Sequence, residues 1–229
     1  MLGGLLAGLA AILSPIALAA PATPAGAPLA LRVEHQLSSL GSDGVKRDVA
    51  FAERVYRAGN AVWIERELPR GVPHEHEQES GKGGGGHKHV DLSTAARWIE
   101  NPPSGKLSVT VVSDHLKKVF DVKPAEYGNI GFDGSWPTAY HLLDPAALKQ
   151  MRAVGPLRNG AQQYQAQRGG ESVTVWWDVA GQFPRSVESR NAGGTSTKLT
   201  RVTTVATPQR APWERARAYA RGEYTDLMD

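Results

Sequence analysis

Apolar side chains at every second position, interrupted by glycine-rich turns, dominate this sequence. Residues 49–57 and 62–68 alternate in this way on either side of Gly59-Asn60. A second alternating pair spans 162–177 around a Gly-Gly turn, and a third spans 184–205. Because successive side chains of a strand point to opposite faces of a sheet, this period of two predicts antiparallel hairpins closed by tight turns. We therefore expect an antiparallel sheet to form most of the fold.

Two further strands and three helices complete the predicted elements. Asp144-Pro145 is typical of an N-cap followed by proline in the first turn, which predicts a helix directly after it. Apolar residues at helical spacing predict a helix at 212–228, and a third short helix is expected at 91–100. The predicted elements are strands at Leu107–Val111 and Lys118–Val122 and helices at Ala146–Arg152, Asp91–Glu100 and Pro212–Met228. The chain shows no internal repeat, and we expect one α+β domain dominated by an antiparallel meander.

The N-terminal segment has the features of an export signal, although it lacks the positive charges that usually open one. Met1–Ala19 has no charged side chain, and Ala17-Leu18-Ala19 fits the small-x-small pattern that signal peptidase cleaves. A membrane anchor is the alternative, because about 19 apolar residues can just span a bilayer. The cleavage pattern and Pro15 favour removal of the segment. We expect a signal peptide at 1–19, an extended linker at 20–32 and a single domain at 33–229, without a stable membrane span after cleavage and located in the periplasm.

Composition and motifs exclude several classes of function. The chain has no cysteine, which removes disulfides, thiolate metal sites and cysteine nucleophiles. The net charge is +3 and the basic residues are scattered, so we expect no nucleic-acid partner. Neither His-Glu-x-x-His nor Gly-x-Ser-x-Gly occurs, and Gly83–Gly86 lacks the lysine of a phosphate-binding loop. We therefore expect a protein that is not an enzyme and has no catalytic residues.

A segment at 69–91, rich in histidine and glycine, is the part of the sequence that most suggests chemistry. It contains two His-x-His pairs, His74 with His76 and His87 with His89. In an extended chain, residues two apart point to the same side, so each pair presents two imidazoles together. Four imidazole ligands suit a divalent transition metal such as Cu(II) or Zn(II). The sequence therefore predicts a metal site at these four histidines.

The same segment also has the composition of a solvated, low-complexity loop, which binds metal whether or not binding has a role. His35, His115 and His141 are isolated in the sequence. We expect each of them to be a surface or core residue rather than a metal ligand.

Tryptophan is frequent, and its placement suggests a wall of aromatic side chains. Trp176 and Trp177 are neighbours on a predicted strand and should face opposite sides of the sheet. One of them can enter the core while the other lines a cleft. The six tryptophans are Trp63, Trp98, Trp136, Trp176, Trp177 and Trp213.

The stretch Val173–Glu188, which reads VTVWWDVAGQFPRSVE, resembles a signature of periplasmic Lol-type lipoprotein carriers and their relatives. A strand meets a short turn, and a Phe-Pro step leads into an outgoing strand. The hairpin at Arg47–Leu68 is similar to the early strands of these proteins. The resemblance implies a strongly curved antiparallel sheet, an unclosed half-barrel, with a few helices packed on its concave face. It also implies non-enzymatic binding of an acyl chain or another apolar ligand in a concave cleft.

Two hypotheses of function follow. The first is an exported protein that binds Cu or Zn through the loop at 69–91. The second is a carrier or sensor of an apolar ligand in an aromatic-lined concave cleft, with the loop as decoration or lid. The expected partners are accordingly a metal ion, an apolar ligand or an exported partner protein. We expect the first hypothesis to hold because it depends on specific residues.

Overall fold

The computed structural model describes residues 26–68 and 95–227, and the strands in these residues form one twelve-stranded sheet. The strands are β1 Leu29–Leu40, β2 Lys46–Ala58, β3 Ala61–Glu67, β4 Ala96–Glu100, β5 Ser108–Ser113, β6 Lys118–Asp121, β7 Arg152–Arg158, β8 Ala161–Arg168, β9 Glu171–Asp178, β10 Phe183–Asn191, β11 Ser196–Val205 and β12 Ala220–Glu223. The helices are α1 Trp136–His141, α2 Pro145–Leu148 and α3 Pro212–Ala216, with 3-10 helices at Pro124–Ile130 and Tyr224–Leu227.

The sheet consists of two meanders joined side by side. Its strand order is β12-β6-β5-β4-β3-β2-β1-β11-β10-β9-β8-β7. Strands β1 and β11 form the seam, which runs antiparallel from the pair Ala30 and Val205 to the pair Ser39 and Ser196. Neighbouring strands are antiparallel throughout this order, except that β12 runs parallel to β6. Because β7 and β12 lie at opposite edges, the sheet is unclosed. The prediction of a large open antiparallel sheet with few helices is confirmed.

The hairpins predicted from alternation are present. Strands β2 and β3 pair around Gly59, whose φ of 56° is a left-handed conformation that glycine adopts without strain. Strands β8 and β9 pair around Gly169-Gly170, and β10 pairs with β11. The strands predicted near 107–111 and 118–122 correspond to β5 and β6.

The three helix predictions need correction. The described part of the helix predicted at Asp91–Glu100 is strand β4. Its side chains are buried on both faces of the sheet, and this removes the alternation that identifies a strand. The helix predicted at Ala146–Arg152 is the short α2, which ends at Leu148 before Arg152 begins β7.

The long helix predicted at Pro212–Met228 is also wrong. Helix α3 ends at Ala216, and β12 and a 3-10 helix follow it. Strand β12 forms because its backbone pairs with β6, a contact with residues far away in the sequence. The spacing of apolar residues within 212–228 does not indicate this pairing with a distant strand.

One face of the sheet packs against α1 and holds the main core; we call it the α1 face. Leu31, Val55 and Ile99 from the strands are buried here against Ala139 of α1. Phe132 follows the first 3-10 helix, and Tyr127 within it contacts Phe132 with ring centroids 4.9 Å apart. On the C-terminal meander a smaller cluster around Val175 packs against α2. These helices cover only part of the α1 face.

The opposite face, which we call the α3 face, holds a second and aromatic cluster. Trp63 and Trp98 are cross-strand neighbours on β3 and β4 and pack under Trp213 and Ala216 of α3. The same strands contribute Val62 and Ile99 to the α1 face. The centre of the N-terminal meander is therefore buried on both sides, which makes it a rigid base for side chains at its open end.

Candidate functional site

A pocket of about 420 Å³ lies on the α1 face beside the first 3-10 helix. Its volume falls in the range of small-molecule sites. The lining combines apolar side chains with a few charged ones, as such sites commonly do. The lining residues are Phe51, Glu53, Ile64, Arg66, Ala95, Arg97, Val111, Asn129 and Ile130.

Alternation in β2, β3 and β4 brings the charged lining residues together. Residue Glu53 lies directly opposite Arg66 across the β2–β3 pair, and Arg97 lies opposite Ile64 across the β3–β4 pair. Cross-strand neighbours have their Cβ atoms within about 5 Å, and Ile64 precedes Arg66 by two residues, so these positions form two adjacent rows on the α1 face. Glu53 and Arg97 are therefore diagonal neighbours across β3.

Glu53 is the centre of a chain of polar contacts. Arg97 Nη2 donates a hydrogen bond of 2.7 Å to Glu53 Oε1, and His35 Nε2 lies 3.3 Å from Glu53 Oε2. On the other side of the imidazole ring, His35 Nδ1 lies 3.2 Å from Thr200 Oγ1. Burial tends to raise the pKa of the Glu53 carboxyl, but the contact with His35 and the Arg97 charge outweigh it and hold the pKa below its ordinary value. The pocket therefore carries a fixed carboxylate whose negative charge is already compensated.

Arg66 differs from Arg97 because its charge is not compensated in the same way. Arg97 is held by Glu53 and by the carbonyl oxygen of Ile130, to which its Nη1 donates at 3.1 Å. The Arg66 guanidinium lies over the Phe51 ring, 4.6 Å from its centroid. No carboxylate of the described residues lies within ion-pair distance of Arg66, and the side chain is exposed. It stands at the pocket mouth as a cation on an aromatic surface.

An apolar patch continues the pocket outward along the same face. Leu37 and Val49 are cross-strand neighbours, two residues beyond His35 and Phe51 on their strands, so all four share the α1 face. Their exposed fractions are large for apolar residues, 36% for Leu37 and 52% for Val49. Together with the pocket they form a partly apolar surface that no described helix covers.

Below the pocket, a buried arginine fixes the position of α1. Arg57 is 5% exposed and donates from Nη1 to the carbonyl oxygen of Tyr140 at 2.5 Å. It also donates to the carbonyl oxygens of Gly181 and Gln182 in the turn between β9 and β10. His141 Nδ1 lies 2.9 Å from the same Gln182 oxygen. Burial lowers the pKa of His141, and the Arg57 charge adds to this effect.

A larger depression of about 650 Å³ extends to the α3 face, but its chemistry is different. Arg32 and Arg54 each donate from Nε to the carboxylate of Glu67 at 2.8 Å. Leu68 is the single apolar residue of its lining, and the rest are charged. The depression has no apolar floor and is a less suitable ligand site than the pocket on the α1 face.

The residues singled out from sequence do not form this pocket. The metal site predicted at His74, His76, His87 and His89 lies outside the described residues. Within 26–68 and 95–227, no group of three or more histidine, aspartate or glutamate side chains could hold a metal ion. None of the six tryptophans lines the pocket, although all six lie in the described residues. Most of them are buried in the hydrophobic clusters on the two faces of the sheet, and Phe51 is the aromatic residue of the pocket lining.

Comparisons with known proteins find similarity at the level of structure. No protein-family model and no curated protein matches the sequence. A putative outer membrane lipoprotein-sorting protein domain from Vibrio parahaemolyticus matches with a TM-score of 0.31 and 13% identity, over 86% of this chain and 88% of that one. A LolA superfamily protein from Nitrosomonas europaea matches with a TM-score of 0.29 and 8% identity, over 81% of this chain and 88% of that one. The predicted resemblance to Lol-type carriers is confirmed. It is a resemblance of fold.

A third similar structure, PNGF-II, is a longer chain than this one. PNGF-II matches with a TM-score of 0.36 and 8% identity over 87% of this chain, which spans 33% of the PNGF-II chain. In the described part of our chain, no helix is long and apolar enough to cross a membrane.

Proposed function

We propose that this protein is a non-enzymatic carrier or sensor that binds an apolar chain on the α1 face. The observation that carries the proposal is the 420 Å³ pocket, whose floor includes Ile64, Val111 and Ile130. The exposed apolar pair Leu37 and Val49 extends this floor along the same face. Contiguous apolar surface is costly to leave in water, and a ligand chain that covers it gains about 25 cal/mol for each Å² buried.

The rigid surroundings also support binding. The strands below the pocket are buried on both faces, and Arg57 fastens α1 to the turn between β9 and β10. A preformed site loses little conformational entropy when a ligand enters. We therefore expect binding without rearrangement of the sheet.

The test uses N-phenyl-1-naphthylamine, a neutral apolar fluorophore, with dodecanol as the competing chain. In the Ala95→Phe variant a ring fills the pocket from the start of β4, because Ala95 is part of its lining. The matched control is Ala50→Phe, since Ala50 is exposed and lies on the α3 face of β2. We expect the wild-type protein and the control to bind the fluorophore and release it to dodecanol, and Ala95→Phe to bind at least tenfold more weakly. Equal affinity in both variants would place binding elsewhere.

We also propose, from the sequence, that the segment at 69–91 binds Cu(II) or Zn(II) through His74, His76, His87 and His89. The spacing of two His-x-His pairs supports this second function. Calorimetry on the untagged full chain, beside a variant with these four histidines changed to alanine, tests it. We expect sub-micromolar binding at a ratio near one that is lost in the variant. Weak binding to several sites, or binding that persists in the variant, contradicts it.

Export to the periplasm is part of both proposals and depends on Met1–Ala19. Expression of the full chain in a Gram-negative host tests it. We expect the protein in the periplasmic fraction, with a mature N-terminus near Ala20. An uncleaved chain in the membrane fraction would instead support the anchor.

A further inference from the structure

We infer that the ligand of the α1-face pocket is an amphiphile with an anionic headgroup, and that Arg66 binds the headgroup. This inference rests on the proposed function and specifies its substrate class. The observation behind it is a cation, without an ion-pair partner among the described residues, at the mouth of a pocket with an apolar floor. Neither a wholly apolar ligand nor a small hydrophilic ion would use both parts of the site.

The charges of the pocket favour an anion. Glu53 is paired with Arg97 and touches His35, so its negative charge is neutralised within the protein. Arg66 is the second guanidinium in the lining, and the described residues offer it no carboxylate within ion-pair distance. One carboxylate and two guanidinium groups leave an excess of one positive charge, which matches an anionic headgroup.

The geometry presents the Arg66 donors to a ligand. The guanidinium lies over the Phe51 ring at 4.6 Å from its centroid, and a cation–π contact restricts the side chain without using its N–H groups. Arginine offers planar, paired donors that match the two oxygens of a carboxylate or the oxygens of a phosphate. Preorganised donors lose less entropy on binding than a free side chain does.

The apolar chain of the ligand can lie on the apolar surfaces on either side of Arg66. Ile64 precedes Arg66 by two residues on the same face of β3 and belongs to the pocket floor. On the other side, Phe51 leads to Val49 and Leu37 at the uncovered end of the sheet. A headgroup at Arg66 therefore has apolar surface directly beside it.

The test compares dodecanol, dodecanoate and dodecyl phosphate as competitors for bound N-phenyl-1-naphthylamine, each below its micellar concentration. We expect dodecanoate or dodecyl phosphate, or both, to compete about tenfold better than dodecanol, because a charge-assisted hydrogen bond to arginine is added. The preference should decrease as the salt concentration is raised, since Arg66 is exposed. Which of the two anions competes better identifies the headgroup as carboxylate or phosphate.

Variants of the charged lining residues identify the residue responsible. Arg66→Gln should remove the advantage of the two anions over dodecanol, and Arg66→Lys should restore part of that advantage. Glu53→Gln should increase the preference, because it removes the negative charge opposite Arg66. The matched control is Arg54→Gln, an exposed arginine on the α3 face of β2 that should change nothing.

Two results separate this inference from the proposed function. If dodecanol displaces the fluorophore but the anions compete no better, or if Arg66→Gln keeps their advantage, the headgroup assignment is wrong while the apolar site stands. If dodecanol does not bind in the pocket, the proposed function is wrong and the inference is overturned with it. Thermal unfolding of each variant confirms that the sheet is intact.

Discussion

Replacing Arg57 with methionine should destabilise the protein by about 3 kcal/mol. The guanidinium is 5% exposed and donates to the carbonyl oxygens of Tyr140, Gly181 and Gln182. Hydrogen bonds from a charged donor contribute roughly 1.5–3 kcal/mol each. The cost of burying a cation opposes this stabilisation, and it is several kcal/mol when no carboxylate compensates the charge. Burial also lowers the pKa of Arg57, a sign of the same cost.

Methionine fills a similar volume but leaves the carbonyl oxygens of Tyr140 and Gly181 without the arginine donor, whereas the Gln182 oxygen keeps its contact with the His141 ring. Because the turn at Gly181 and Gln182 is partly accessible, water can replace some of the lost bonds, which brings the expected loss to about 3 kcal/mol rather than the gross sum of the bonds. The Tyr140 carbonyl lies in the last turn of α1, so the loss should loosen that helix as well.

Urea unfolding followed by tryptophan fluorescence measures the effect, with Arg54→Met as the control. Arg54 is an exposed arginine on the same strand, and its ion pair with Glu67 is a surface one worth about 0–1 kcal/mol. We expect a lower midpoint at an unchanged m-value for Arg57→Met. A change within about 0.5 kcal/mol of wild type, or an equal change in both variants, would show that burial of the cation cancels its hydrogen bonds and that the reasoning fails.

Two further predictions concern His141 at the end of α1 and the buried Leu31 of β1. Burial lowers the pKa of His141, so the folded state favours the neutral ring. The contribution of His141 to the free energy of unfolding is therefore fully present above the unfolded pKa of about 6.5, and it decreases as the pH falls below that value. Thermal unfolding at pH 7.5 and pH 5.5 should therefore show a larger decrease for wild type than for His141→Gln, and parallel decreases would contradict this. Leu31→Ala removes a side chain with 0% exposure and should cost about 2–5 kcal/mol in urea unfolding, whereas Leu157→Ala, at 57% exposure, should cost little. Similar losses at both positions would mean that the seam strand is not packed as described.

The sequence predicted those strands whose two faces differ in environment. In the hairpin of β2 and β3, charged and apolar residues alternate, and the Gly59 turn closes it. Strand β4 was wrongly predicted as a helix because Trp98 and Ile99 are buried on opposite faces, which hides the period of two. Strand β12 was missed because its partner β6 lies far away in the sequence.

The candidate site was harder to predict than the fold. Glu53 and Arg66 are thirteen positions apart, and only the register of the hairpin shows that they are opposite each other. The alternation that predicted the hairpin also fixes this register once the turn at Gly59-Asn60 is recognised, so the pair could have been found. The contact between Glu53 and Arg97 could not have been found in this way, because it depends on β4 pairing with β3 after the segment that follows residue 68.

The seam between β1 and β11 has a consequence for how the chain reaches its folded state. Each meander is built from pairings between strands close in sequence, whereas the seam aligns Ala30 with Val205. Contacts between such distant residues require the closure of a long loop and slow the folding of β-rich proteins to milliseconds or seconds. During synthesis, β1 lacks its second neighbour until β11 has been made, so its outer edge is free to pair with other chains for most of that time. The protein should therefore depend on chaperones most strongly before its last strands are complete.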